Sequence, residues 1–355
     1  MSKKTSKQQK EKKNAKASMP APWHRRIARW TFAGLVAMFI LLCGGGAWYA
    51  RHPLGWLEEK ERSLPRLITR PLMYFGDRTL MLSDALGWTG HDAVYDCDDP
   101  PPSGQVFYAG HPVRVAAPAP ADIKILDRGP FVIGWSDTLL HPAWVAYHVP
   151  PEAKFEAGKR PSFRKDRSVA KSPAASAYDR TGYDRGHLAP NRAIATRFGP
   201  EAQALTFLMS NIAPQSPALN RGPWRELEQR IADLWTKRWG EIWVLCGAIS
   251  GNSAKSHQTL PGTRVDVPER FWMLIVAQTE DGVRALALIL PQTVRYDEFP
   301  VHRIVTIDEL EKATGLDLMP ELPSYLKNAL QADRPTRLWP VRLRDIFKLM
   351  LVRFV

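Results

Sequence analysis

The sequence predicts an α/β domain, a central and mostly antiparallel sheet flanked by helices, carried behind one N-terminal membrane-spanning helix. Three observations predict it. Short apolar, β-branched runs such as "FVIGWS", "AWVAYHV", "EIWVLCGAI", "RFWMLIVAQ" and "VRALALILP" have strand length. Trp224, Leu227, Ile231 and Leu234 recur at helical spacing within "GPWRELEQRIADLWTKRWG", residues 222–240. The run "WTFAGLVAMFILLCGGGAWYA", residues 30–50, is uncharged over about the 20 residues that cross a hydrocarbon core.

Residues 1–29 are lysine-rich and nearly free of large apolar groups, which predicts a basic, disordered tail. Trp30 at one end of the 30–50 anchor and Trp48 and Tyr49 at the other suit the two interfaces of a lipid bilayer. Cations crowd the N-terminal side, so the tail is expected in the cytoplasm and the rest exported. Trp48, Tyr49 and Ala50 make a poor signal-peptide cleavage site. Leu41 and Leu42 are too large to precede a lipoprotein cysteine at Cys43. The start is unlike an arginine-rich transit peptide, so a bacterial inner membrane with a periplasmic domain is expected.

The formal charge of +13 resembles a nucleic-acid footprint until it is located. Seven Lys, three Arg and one Glu give residues 1–30 a charge of +9, and six Lys or Arg against two Asp give residues 333–355 a charge of +4. The body between them is neutral. That excludes capture of a polyanion by a global field, so any phosphate must meet a local cluster.

Residues 51–96 form a connector, and "DCDDPPPSG", 96–104, reads as a turn-rich boundary. The main domain spans 97–330 and begins with a β-like run, "QVFYAG". Residues 150–182, polar and rich in Pro, Ser and basic groups, make a loop long enough to be functional. "TFLMSNIAP", 206–214, reads as a strand. The 222–240 helix opens on Pro223. "TEDG" joins two strands in a hairpin turned at Asp281-Gly282, and "TIDELEKATG", 306–315, is a short helix closed by Gly315. The basic, amphipathic segment 331–355 either lies on an anionic membrane surface or packs on the domain. Cys97 and Cys246 are able to pair in an exported domain, although Cys246 lies in an apolar strand pattern that favours a small buried thiol.

Within this frame, "YDRGHLAPNR", residues 183–192, sets an acid, a guanidinium, a glycine and an imidazole side by side. Cleaving a phosphodiester needs a base to activate water, positive charge on the phosphate, and something to take the charge of the leaving oxygen. His187 is the natural base near neutral pH, and Arg185 matches phosphate oxygens. A divalent cation is the missing part. A hard cation such as Mg²⁺ keeps several of its waters, so one side-chain carbonyl can suffice. Asn220 is the candidate, with Glu228 holding the cation's waters. Each residue also has a plain reading: His187 as an ordinary histidine, Asn220 as a helix cap, Glu228 as an intrahelical partner of Arg225.

Together, "YDRGHLAPN", "TFLMSNIAPQ" and "LNRGPWRELEQRI" resemble the DNA/RNA non-specific endonucleases, a family with a ββα-metal (His-Me finger) site. The resemblance continues through "VPERFWMLIVAQ" and "VTIDELEKATGLDLMPELP" and covers roughly residues 97–326. It implies that His187 is the general base and Asn220 the direct ligand of Mg²⁺, for which Mn²⁺ can substitute. It implies that Glu228 supports the water shell, that Arg185 contacts the phosphate or its surroundings, that Asn211 orders the histidine strand, and that Asp184 is structural. Arg160 is the upstream phosphate-binding arginine it suggests, with Arg164 the rival. DNA, RNA or both are the implied substrates, and a homodimer is allowed. One departure stands out: the family's arginine four residues after the glutamate is here Ala232, and Arg230 lies two residues earlier. A nuclease fold without full activity, binding nucleic acid or organising a membrane complex, is the alternative this leaves.

Overall fold

A computed structural model describes residues 66–88, 90–96, 105–251 and 258–345. The basic tail, the 30–50 run, Cys97 and residues 346–355 lie outside these, so the anchor and the last ten residues of the C-terminal amphipathic segment are expectations about undescribed residues. Residues 331–345 of that segment are described, and Leu338, Trp339 and Val341 are buried against the domain, with Trp339 O accepting from Trp235 Nε1 at 2.8 Å. Among the described residues no helix is long and apolar enough to cross a membrane. Residues 1–79 and 80–355 make two compact units, and the fold below is that of the second. The connector contains a helix missed in the sequence, α1 (Arg66–Leu86). Pro71 inside it argues against a helix interior.

The strands of the main sheet and of the site are β1 (Ala93–Tyr95), β2 (Ile123–Asp127), β3 (Phe131–Ser136), β4 (His141–Val149), β5 (Asp184–His187), β6 (Ile212–Gln215), β7 (Ile242–Ile249), β8 (Arg270–Thr279), β9 (Gly282–Pro291) and β10 (Ile304–Val305). The main sheet has the order β1-β9-β8-β7-β4-β3-β2, with β10 on β9. Every neighbouring pair in it is antiparallel. Both of its faces are covered, which is why β3 and β4 read as continuous apolar runs and are buried along their whole length.

Alternation along β8 sorts the two faces. Trp272, Leu274 and Val276 enter the core beneath α5 (Ile307–Thr314) and α6 (Ser324–Ala332). Phe271 points the other way and meets Trp224 edge-on at 5.7 Å. On that face Cys246 is a free, buried thiol that donates to Leu188 O at 3.4 Å, so it takes the buried-thiol reading and not a disulfide. The second face is the platform of the site.

Several elements differ from expectation. Residues 105–110 bend without joining the sheet. The hairpin turns at Glu280-Asp281, because Thr279 pairs with Gly282, which takes the positive φ of 118°. Gly315 does close its helix, at φ 71°. Of "TFLMSNIAP" only the end is strand: Thr206 finishes α2 (Asn191–Thr206), Met209–Asn211 is a 3-10 turn, and β6 starts at Ile212. A short helix, α3 (Pro217–Arg221), precedes the 222–240 segment, which is itself a series of pieces: α4 (Pro223–Gln229), a π-helical turn (Arg230–Trp235) and a final turn, Thr236–Trp239. A side chain at Gly222 would meet Tyr296 O at 2.3 Å and Ala218 O at 2.4 Å, so the chain bends there on a glycine. The predicted stripe of Trp224, Leu227, Ile231 and Leu234 is buried throughout.

Candidate active site

β5 and β6 pair antiparallel from Asp184↔Gln215 to His187↔Ile212, and α3 and α4 follow directly. A strand pair and a helix therefore converge on one cleft of about 820 Å³. Gly186 is needed between Arg185 and His187 because the Gln215 side chain lies 2.1 Å from where its Cβ would be. His187, Asp184, Arg185, Asn220, Glu228 and Arg160 all line this cleft. Residues more than thirty positions apart are thus brought together. Arg164 does not line it; its backbone bridges to Leu208 and anchors the loop instead.

His187 is packed between two rings, with Phe163 at 5.2 Å and Phe207 edge-on at 4.8 Å. Its Nε2 is buried without a hydrogen-bond partner, and Nδ1 is the ring nitrogen with access to the cleft. Burial, helped by the charge of Arg160, pushes its pKa down to about 3. The imidazole is therefore neutral at ordinary pH with a free lone pair, while the same burial weakens it as a base. Asn211 fixes the chain that follows: its Oδ1 accepts from Ala189 N at 2.9 Å, and its Nδ2 donates to Ala189 O and Thr206 O at 3.0 Å each. It is buried and does not reach the cleft. These bonds are also the reason residues 206–211 do not form a strand.

Asn220 is not a helix cap. Ser216 caps α3, accepting from Leu219 N, and Asn220 lies inside the helix. Asp184 Oδ2 accepts from Asn220 Nδ2 at 2.9 Å, which fixes the amide and leaves its Oδ1 without a donor among the described residues. Asp184 also takes Arg221 Nε at 2.8 Å and Nη2 at 2.6 Å. Although burial opposes ionisation, these partners hold its carboxyl below the usual range. Glu228 accepts from Trp224 Nε1 at 3.0 Å, not from Arg225. Burial raises it to about 8, against the pull of Arg160 and Arg225.

Among the described residues no cluster of three or more His, Cys, Asp or Glu is arranged to hold a metal ion. A caged metal therefore does not fit. A hard cation that keeps most of its waters does: Asn220 offers one oriented, unpartnered carbonyl oxygen, and Glu228 stands at the same cleft to receive the waters.

The arginines divide into two groups. Arg185 donates Nε to Ala175 O at 2.9 Å and Nη2 to Asp179, and lies over the Phe163 ring, so two of its five donors are taken and the group is turned towards the loop. Arg160 and Arg225 have no ion-pair partner among the described residues. Arg230 is no substitute for an arginine at 232. It is fully buried, paired with Glu226 and packed over Phe299. The π turn explains what happens instead. Thr236 N bonds to Ile231 O, five residues back, so the helix face shifts by one residue. Ala232 turns inward and Asp233 lines the cleft. Asp233 in turn holds Arg192, from the start of α2, by Nε at 2.9 Å and Nη2 at 3.0 Å. Sequence reasoning missed Arg192, Arg221 and Arg225 as cleft residues. Their nearness to the two motifs was the only available signal.

Comparison with known proteins agrees with this geometry. The family model of the DNA/RNA non-specific endonucleases matches residues 111–324. Mitochondrial endonuclease G of Bos taurus is 29% identical over 226 residues, spanning 60% of this chain and 74% of its own. The mitochondrial nuclease of Saccharomyces cerevisiae is 30% identical over 226 residues, spanning 58% and 68%. A nuclease of Nostoc sp. is 27% identical over 226 residues, spanning 59% and 78%. The crystal structure of an EndoG/EndoGI complex shares the fold, with a TM-score of 0.52 at 24% identity over 56% of this chain and 86% of that one.

Proposed function

Since the chain belongs to the DNA/RNA non-specific endonucleases and is a nuclease, we propose a membrane-anchored, Mg²⁺-dependent endonuclease that hydrolyses DNA, RNA or both with little sequence preference. The observation that carries this is the convergence of neutral His187 and the Asp184-oriented carbonyl of Asn220 on one cleft. His187 Nδ1 takes a proton from the attacking water. Arg160 and Arg225, free of carboxylate partners among the described residues, receive the phosphate oxygens. Asn220 Oδ1 is the direct protein ligand of the cation, and Glu228 orders its waters. Bound there, the cation supplies Lewis-acid stabilisation of the leaving oxygen. Mn²⁺, which takes the same oxygen ligands, is expected to substitute.

The test is plasmid nicking by the full-length protein. Wild type is expected to nick with Mg²⁺ and not with EDTA, and His187→Ala and Asn220→Ala to lose at least about a hundredfold in rate. DNA retained but uncut by the wild type would refute the catalytic reading. Unchanged cleavage by His187→Ala would remove it as the base. Anchoring rests on the uncharged 30–50 run and the lysines before it. Protease added to spheroplasts is expected to digest the nuclease domain. Digestion only after lysis would reverse the topology.

A further inference from the structure

We propose that Arg192, held by Asp233, binds a phosphate of the nucleic-acid strand beside the one being cleaved, as a positioning residue. This rests on the nuclease reading above. Exposed ion pairs usually contribute little and need no function. This pair differs in its place: both partners line the catalytic cleft, and Asp233 reaches it only because the π turn carries residue 233 to the cleft face.

Its geometry suits a phosphate. Asp233 engages Arg192 side-on, through Nε and Nη2. Of the five guanidinium hydrogens, those on Nη1 and one on Nη2 stay uncommitted. They form the flat end of the fork, which matches two phosphate oxygens. The Arg192 side chain is 57% exposed, so that end is open to a ligand, while Asp233 fixes its direction. Arg221 is held side-on by Asp184 in the same manner and is as open, at the Asn220 end of the cleft, whereas Arg192 stands at the far end beyond Glu228. Arg221 shares Asp184 with Asn220, and Arg185 is turned to Asp179 and Ala175 O.

The position also selects which phosphate is met. Asp233 lies five residues past Glu228, about one and a half helical turns or ~7 Å along the axis. That corresponds to roughly one or two phosphates along a strand, at ~3.4 Å of rise each. Arg192 thus stands away from the scissile group. Its contact belongs to ground state and transition state alike, so it affects KM rather than kcat.

Steady-state kinetics with Mg²⁺ on two substrates test this: a dinucleoside monophosphate, carrying only the scissile phosphate, and an oligonucleotide of the same sequence. Arg192→Gln is expected to raise KM on the oligonucleotide by roughly tenfold with kcat within about twofold. The advantage of the long substrate over the short should shrink by the same factor. Asp233→Asn should move KM in the same direction by less, since the charge stays and the orientation is lost. Arg192→Lys should not restore the wild-type value, because an ammonium lacks the fork. Equal loss on both substrates, a change confined to kcat, or an unchanged KM on the oligonucleotide overturns the assignment. A wild type that cleaves neither substrate sinks the nuclease reading first, and this one with it.

Discussion

Single residues decide the chemistry through what holds them, and Glu228 is the clearest case. Burial keeps its carboxyl protonated up to about pH 8 when no cation is present. A divalent cation beside it favours the carboxylate, so binding below that pH expels a proton. Apparent Mg²⁺ affinity is therefore expected to rise with pH and to level near 8. Calorimetry in buffers of different ionisation enthalpy should detect proton release at pH 6.5 that is absent from Glu228→Gln. A variant that releases protons as the wild type does would remove Glu228 from the cation's surroundings. His187 adds no acid limb above about pH 3. His187, Asn220 and Glu228 were legible in the sequence because each is the residue type the chemistry requires, at motif spacing. Their orienting partners were less so. Asp184 could be read as structural, but its hold on the Asn220 amide is a contact across 36 residues. Arg192 has no motif of its own and becomes a cleft residue only through Asp233.

At the level of elements, the π turn has the largest consequence. The apolar stripe Trp224, Leu227, Ile231, Leu234 runs through it, so a period of 3.6 reads the segment as one uninterrupted helix. Neither the bend at Gly222 nor the extra residue in the turn disturbs that pattern. The strands were legible for the opposite reason: with both sheet faces covered, β3, β4, β7, β8 and β9 are simple apolar runs. What sustains the π turn is Arg197. It is buried, and its Nη2 reaches Ala232 O at 2.5 Å while its Nε reaches Pro150 O at 3.1 Å. One guanidinium thereby ties α2 to the π turn and to the start of the 150–182 loop. Arg197→Met removes those donors and leaves buried carbonyls short of partners. It is expected to lower stability by about 3 kcal/mol, read from the urea midpoint, and to reduce cleavage with it. A variant as stable as wild type would show that the π turn stands without this tie.

On the scale of the whole molecule, the ends and the charge distribution matter most. Asp84, in the last turn of α1, accepts from Leu338 N at 3.0 Å and joins the two ends of the second unit. Burial raises its carboxyl to about 7 from an ordinary value of 3.8. The sign follows: its contribution to stability is complete below about pH 4 and is lost as pH rises through 7. Asp84→Asn keeps an acceptor for Leu338 N. Its thermal midpoint is expected to exceed that of wild type at pH 8 and to converge with it near pH 4. A gap independent of pH would mean that Asp84 does not titrate in this range. Charge acts over longer distances. The whole of the net +13 lies in the two terminal segments, and the body is neutral. Substrate capture then depends on the few cleft cations able to meet phosphates, Arg160, Arg225 and the open ends of Arg192 and Arg221. With about three to four phosphates neutralised, log affinity should fall against log salt with a slope of about −2 to −4. Arg160→Gln should make that slope shallower by about one. Fluorescence anisotropy of labelled DNA on His187→Ala, which binds without cutting, measures this over a salt series at fixed Mg²⁺. A slope near −10 would mean that the basic termini grip the strand as well, and that the cleft is only one part of the binding surface.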